Sequence, residues 1–269
     1  MLGWLRRTRR EARRAVAPSL WREATAPWLF MRGLAASDIA RLHALCERFL
    51  AIKHFTGAHG VDVTPRMQVE IAAQACILVL ELGIEWYEGW SEVIVYPAQF
   101  APEREIVDEA GVVHLVNDPM AGEAWLGGPV LLSYEDVALA GDEAQRIAGY
   151  NVVIHEFAHK LDMRNGDANG FPPLHAGMDF RAWKRALGEA YDDFRARVER
   201  ADRMPGRRAE AAYDALPMDP YASESPAEFF AVGSEAFFET PEQLAPAYPA
   251  MYEQLRLFYR QDPRARVPG

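Results

Sequence analysis

Two histidines four residues apart, with a glutamate directly after the first, can hold a metal ion and move a proton beside it, and residues 155–159 read His155-Glu156-Phe157-Ala158-His159. At 3.6 residues per turn, positions four apart stack on one helix face, so His155 and His159 can offer two imidazole nitrogens to one cation. Glu156 lies next to them, where its carboxylate can take a proton from a water polarised by that cation. A plainer reading is an amphipathic helix with two surface histidines. Val152, Val153 and Ile154 argue against it, because an apolar lead-in means a buried helix, and buried imidazoles need partners.

That helix needs boundaries. Asp142-Glu143 reads as its opening, and it is expected to run to about Leu161 before Asn165-Gly166-Asp167 breaks it. A catalytic metal also needs a third protein ligand, with one position left for water. A second helix downstream supplies candidates, with Ser225 as N-cap and Pro226 at its first position. Glu228 sits third in that helix, where it can turn to a metal or, as the far end of a Ser225-x-x-Glu228 capping box, reach back to the Ser225 N–H. Spacing leaves both open. Glu235 falls on nearly the same face, as an alternative ligand or an acceptor for a histidine N–H, and Glu224 lies before the cap.

Other elements frame these two. Residues 38–52 read as an amphipathic helix with Ser37-Asp38 as cap, and residues 57–63 as a loop. Thr64-Pro65 starts a second helix with apolar positions from Met67 to Leu82. From Trp86 onward short β-branched runs appear: residues 93–96, Val107 with 112–116, and 130–134. Residues 122–134 read as two strands joined at Gly127-Gly128, with 122–126 as the edge strand. An edge beside a metal helix can pair with an extended peptide, although a hairpin covered by a loop fits the same residues. Residues 180–198 read as helix, and 200–208 as a charged turn-rich segment. His54, His59, Glu70 and Glu81 have no common helical face and do not read as a second metal site.

The chain has 269 residues, half of them hydrophobic, enough for one large domain or two small ones with an ample core. Its division is expected to be one catalytic domain over 1–269, with a basic arm at 1–18, a helical portion at 19–90, and sheet, metal helix and C-terminal helices at 91–265. Cys46 and Cys76 are the only cysteines, both inside apolar helical patterns, which excludes a disulfide framework and a cysteine zinc site. The N-terminal arginines are not followed by an apolar run, so no secretory signal is read, and the run Ala72 to Leu82 is too short to span a bilayer. A cytoplasmic location is expected. With a net charge of −10, an acidic body argues against nucleic acid as the main ligand; the basic arm reads either as a contact for an anionic partner or as a solvated terminus.

His155 through Asp167, together with Tyr221-Ala222, Pro226-Ala227-Glu228-Phe229-Phe230-Ala231-Val232, Ser234-Glu235 and Phe237-Phe238, resembles the bacterial Mlc titration factor A family of zinc metallopeptidases. The likeness extends from residues 71–76 and Val95-Tyr96-Pro97 to Gln261-Asp262-Pro263, and the active-site portion is also similar to the catalytic domain of anthrax lethal factor. The resemblance implies an α+β, zincin-like metallopeptidase fold with a small mixed sheet and an N-terminal helical portion. It implies one Zn2+ held by His155, His159 and Glu228, with Glu156 as general base and Tyr221 as a phenol donor to the reacting carbonyl. It further implies aminopeptidase-like cleavage of small peptides, for which Glu123, Asp162 or Glu235 could hold the free amine. The family also binds the repressor Mlc and so affects the glucose phosphotransferase system, which leaves a non-catalytic protein that sequesters the repressor as the alternative. A metal-free structural homologue is disfavoured, since every residue the chemistry requires is present.

Overall fold

Alternation along Glu92–Tyr96 buries Val93 and Val95 on one face and leaves Glu92, Ile94 and Tyr96 half-buried, the pattern of a strand with one face on a core. The computed structural model describes residues 14–101, 104–107, 113–116, 119–140 and 149–266. Asp142, Glu143 and residues 1–13 of the basic arm lie outside the described residues. In chain order the strands are β1 (His54–Gly57), β2 (Glu92–Tyr96), β3 (Arg104–Val107), β4 (Val113–Val116), β5 (Gly122–Ala124) and β6 (Val130–Ser133). One sheet has the order β1-β2-β6-β5: the first three strands are parallel, and β5 pairs antiparallel with β6, with Glu123 opposite Leu131. β3 and β4 form a separate antiparallel pair. The result is a helix-rich mixed α/β fold with a small mixed sheet.

β5 is the edge of the larger sheet, and its open side can be read from its hydrogen bonds. Ser133 N–H donates to Ala121 O at 2.7 Å and Trp125 N–H donates to Pro129 O at 3.1 Å, so odd-numbered residues face β6. By alternation, the backbone groups of Gly122 and Ala124 face outward. Met120, the next outward residue, is already paired with Phe100 through bonds of 3.1 and 2.8 Å. The open edge therefore begins at Gly122. The strand is shorter than the expected arm 122–126, because the chain leaves it at Trp125 to turn through Gly127, whose φ of +64° suits glycine.

Helices α1 (Pro18–Thr25), α2 (Ala36–Ile52) and α3 (Pro65–Leu78) precede the second strand, and α4 (Tyr134–Leu139) follows β6 directly. α2 begins two residues earlier than expected, with Ala35 as N-cap and no side-chain cap, so Ser37 and Asp38 lie inside the helix. Thr64 caps α3 as expected, but the helix ends at Leu78 rather than Leu82. β1 precedes the loop expected over 57–63 and takes in only its first residue, Gly57, leaving 58–63 as loop; its four residues have no alternation of their own and take their register from β2. α5 (Val152–Asp162) is the helix that carries His155 and His159. It is followed by α6 (Phe180–Asp202), α7 (Arg207–Asp214), α8 (Pro226–Glu239), α9 (Pro241–Ala247) and α10 (Pro249–Tyr259). α6 and α7 divide the segment expected to be turn-rich.

α5 starts at Val152, later than expected, because Gly149 adopts a left-handed φ of +75° and Asn151 is extended, capping Ile154 N–H through its Oδ1 at 3.0 Å. Every α5 residue except His155 is buried. Phe157 sits among Phe49, Tyr87 and Trp90 with ring centroids 5.2–5.7 Å away, which anchors the helix to α2 and the 84–90 segment. α8 is buried along almost its whole length and packs against α5.

Candidate metal centre

Asn151 ties the two site-bearing helices together at the point where α5 begins. Its backbone N–H donates to Glu235 and its Nδ2 donates to Glu239 Oε1 at 2.8 Å, both on α8. One residue thus caps α5 and holds it against α8. From that anchor, His155 and His159 project from one face of α5, with Nε2 atoms 3.2 Å apart. Glu228, in the first turn of α8, places Oε2 3.0 Å from His155 Nε2 and 3.3 Å from His159 Nε2. Two nitrogens and one oxygen converge on a point, and His155, His159 and Glu228 form the one group of metal-capable side chains found among the described residues.

Ser225 and Glu228 resolve the two readings of their spacing. Ser225 Oγ accepts the Glu228 N–H at 3.2 Å, as a cap should, while the Glu228 carboxylate turns to the imidazoles and not back to Ser225. Burial raises the Glu228 pKa, but hydrogen bonds and charge from His155 and His159 outweigh it and hold the group well below the usual carboxylate range. Glu235 lies behind His155. Its Oε1 accepts Nδ1–H of His155 at 2.8 Å, which fixes the tautomer and turns Nε2 toward Glu228. Burial works to lower the His155 pKa, and the bonds to Glu228 and Glu235 overcome it, so the net shift is upward.

Glu156 is buried against the edge strand. A Cβ added at Gly122 would lie 2.6 Å from its Oε1 and Cγ, so a glycine at that point of β5 makes room for the carboxylate. Burial raises the Glu156 pKa, while the two histidines pull it down, and the net shift is upward, toward a group able to accept and return a proton. Tyr221 stands on the 3-10 turn Pro220–Ser223, whose Asp219 accepts the Tyr221 N–H at 2.8 Å. Its ring is half-exposed, with its centroid 6.0 Å from that of His155.

A cavity of about 580 Å³ joins these groups, bounded by Gly122, Glu123, Tyr150, Asp219 and Tyr221 around the imidazoles. Of the three acids weighed for holding an amine, Glu235 is engaged by His155 and Asn151, and Asp162 accepts the N–H groups of Asn169 and Gly170. Glu123 lines the cavity. Of the residues considered for a second metal site, Glu70 is bound by Arg66 and Tyr134, and Glu81 by Arg41.

Sequence reasoning missed the tie made by Asn151 and a second one made by Lys160. The Lys160 ammonium, one residue after His159, donates to the carbonyls of Trp125 at 2.5 Å and Gly128 at 2.8 Å. It also lies 4.7 Å from the Trp90 ring centroid, and Lys53 Nζ approaches the same ring at 3.5 Å. An asparagine just before an apolar helical run signals the first; no local signal marks the second, since its acceptors are backbone atoms more than thirty residues away.

Two imidazoles and a carboxylate converging beside a buried glutamate, at the foot of a cleft along a sheet edge, have the composition of a metallohydrolase centre. The chain belongs to the family described as glucose-regulated metallo-peptidase M90, whose model matches residues 2–260. It is 39% identical over 251 residues to Mlc titration factor A of Salmonella arizonae, covering 92% of this chain and 93% of that protein. To Mlc titration factor A of Salmonella gallinarum it is 40% identical over 250 residues, covering 92% of this chain and 88% of that protein. The resemblance carried by the motifs is shown at the level of the family. Among the described residues no helix is long and apolar enough to cross a membrane.

Proposed function

We propose that this protein is a zinc-dependent, aminopeptidase-like peptidase of zincin-like arrangement, built as one catalytic domain over residues 1–269. The observation that carries the reading is the triangle of His155 Nε2, His159 Nε2 and Glu228 Oε2, with edges of 3.0, 3.2 and 3.3 Å. A tetrahedral zinc ion with bonds of about 2.0–2.1 Å has ligand-to-ligand edges of about 3.3 Å, and two imidazoles with a carboxylate are a donor set it favours. When bound, zinc supplies a Lewis acid for the scissile carbonyl and lowers the pKa of water to about 7.

The chain's own residues supply the rest. An extended peptide can pair with the outward backbone groups of Gly122 and Ala124, which sets its scissile bond beside Glu156. Glu156 takes a proton from the attacking water as the water oxygen bonds to the carbonyl carbon. It then delivers that proton to the amine nitrogen as the C–N bond breaks. The Tyr221 phenol donates to the oxyanion that develops in between. Glu123, which lines the cleft, is the acid assigned to the substrate amine. Two buried free thiols, Cys46 and Cys76, support a reducing, cytoplasmic setting.

Zinc analysis and a fluorogenic peptide assay test this reading together. Glu156→Gln is expected to keep zinc and lose hydrolysis; unchanged turnover would sink the assignment of the base. Glu228→Ala is expected to lose zinc, whereas normal zinc there with loss in Glu235→Ala would reassign the ligand. A second reading rests on the name of the relatives: a protein that binds a repressor of the Mlc type, and through it affects glucose phosphotransferase transport, with or without cleavage. If a zinc chelator abolishes hydrolysis and leaves repressor binding intact, the two activities use separate surfaces.

A further inference from the structure

Lys160 is buried, 4% exposed, although an ammonium taken out of water is costly unless it is paired. Among the described residues no carboxylate pairs with it: its Nζ donates to Trp125 O at 2.5 Å and Gly128 O at 2.8 Å, and it lies against the Trp90 ring. Those two carbonyls belong to one turn. Gly128 N–H donates to Trp125 O at 3.0 Å and Trp125 N–H donates to Pro129 O at 3.1 Å, so Trp125 and Gly128 are the two ends of the turn between β5 and β6. One ammonium grips both ends from the helix beside them.

What it grips is a short strand. β5 has three residues, and an edge strand of that length has few ladder bonds to keep it in place. Its near end is pinned where Met120 pairs with Phe100, and its far end by Lys160. Between the two pins lie the outward backbone groups of Gly122 and Ala124. Glu156 stands one turn before Lys160 on α5, a spacing that makes the side chains neighbours, and its charge acts on the ammonium. The first of these residues meets the hairpin at Gly122 and the second at Trp125 and Gly128.

We propose that Lys160 is a positioning residue for substrate binding: by clamping the β5–β6 turn to α5 it holds the backbone groups of Gly122 and Ala124 at a fixed place beside Glu156. The helix that carries the base thus also sets the strand that receives the peptide. The inference rests on the reading of Gly122 and Ala124 as the substrate edge. A lysine that only stabilised the fold would lower the thermal midpoint on removal and leave substrate affinity where it was.

Lys160→Met keeps an unbranched stem against Trp90 and removes the donors. Two substrates are compared: a fluorogenic peptide of several residues, and an amino-acid arylamide, whose single residue is too short to pair with both Gly122 and Ala124 at about 3.3 Å per residue. The expected result is a KM for the peptide raised on the order of 10-fold, the worth of about two backbone hydrogen bonds, with kcat, zinc content and the KM of the arylamide little changed. A peptide KM equal to wild type would overturn the proposal, as would an equal rise for both substrates. Amide hydrogen exchange on the same variant, expected to be faster at Trp125 and Gly128, tests the clamp without reference to activity. If the wild type hydrolyses neither substrate, the peptidase reading fails by itself, and unchanged exchange at those two amides refutes the clamp. Should Lys160→Met not fold, nitrogen NMR of the wild type decides: a slowly exchanging Lys160 ammonium supports the clamp, and a freely exchanging one refutes it.

Discussion

Ser225 caps α8 with its own hydroxyl, and this frees the Glu228 carboxylate to lie among the imidazoles. The division of labour is testable: Ser225→Ala is expected to cost about 1 kcal/mol of stability, the usual worth of such a cap, while metal content stays at wild-type level by elemental analysis. Tyr221 is expected to act only on the developing oxyanion. Tyr221→Phe should lower kcat on the order of 100-fold, as removal of an oxyanion donor does, with zinc content and KM nearly unchanged in steady-state assays. The histidine pair and Glu156 are legible in the sequence because a helix converts a spacing of four into adjacency. The direction of Glu228 is not, since cap and ligand share one spacing and only the surrounding imidazoles decide between them. Nor is the occupation of Glu235 and Asp162, because their partners are a ring nitrogen and backbone groups brought together by folding.

At the scale of elements, β5 and α5 touch so closely that a Cβ at residue 122 would press on the Glu156 side chain, which would have to move. Gly122→Ala is therefore expected to displace Glu156 and lower kcat on the order of 100-fold, the penalty of misplacing a reacting group by about 1 Å. Zinc content should stay unchanged, and wild-type kcat in this variant would show that the carboxylate has room. The hairpin and the capped helices α3 and α8 can be read from residue types, because Thr64-Pro65, Ser225-Pro226 and Gly127-Gly128 act locally. β1 cannot: His54-Phe55-Thr56-Gly57 has neither alternation nor a β-branched run, and its partner strand supplies the pairing. The start of α5 is misjudged for a similar reason, since acidic residues at 142–143 look like an opening turn while Asn151, tied to α8, does the capping.

Across the whole molecule, the candidate metal site stands where two helices from distant parts of the chain meet, so a cation bound there is expected to staple the native state. At a free zinc concentration of about 100 Kd the linkage is worth about 2.7 kcal/mol, and chelation should lower the thermal midpoint by about 5–10 °C for a domain of this size. The buried lysine at the end of α2 contributes a pH dependence of its own. Burial, with repulsion from Lys160, lowers the Lys53 pKa from 10.5 to about 7, against a smaller upward pull from Glu88. Between those values the unfolded chain holds a proton that the folded chain lacks, so this group makes stability rise with pH across that window. The stability of wild type relative to Lys53→Met, measured by urea unfolding, should accordingly increase from pH 7 to pH 10. The same contacts also give the molecule a built-in optical gauge. Trp90 lies between two ammonium groups, one from the sheet's N-terminal approach and one from the metal helix, and the second also grips the turn at the end of the substrate edge. Any ligand that shifts that turn changes the charge pressed against the indole, and intrinsic emission can then follow cleft occupancy without a label.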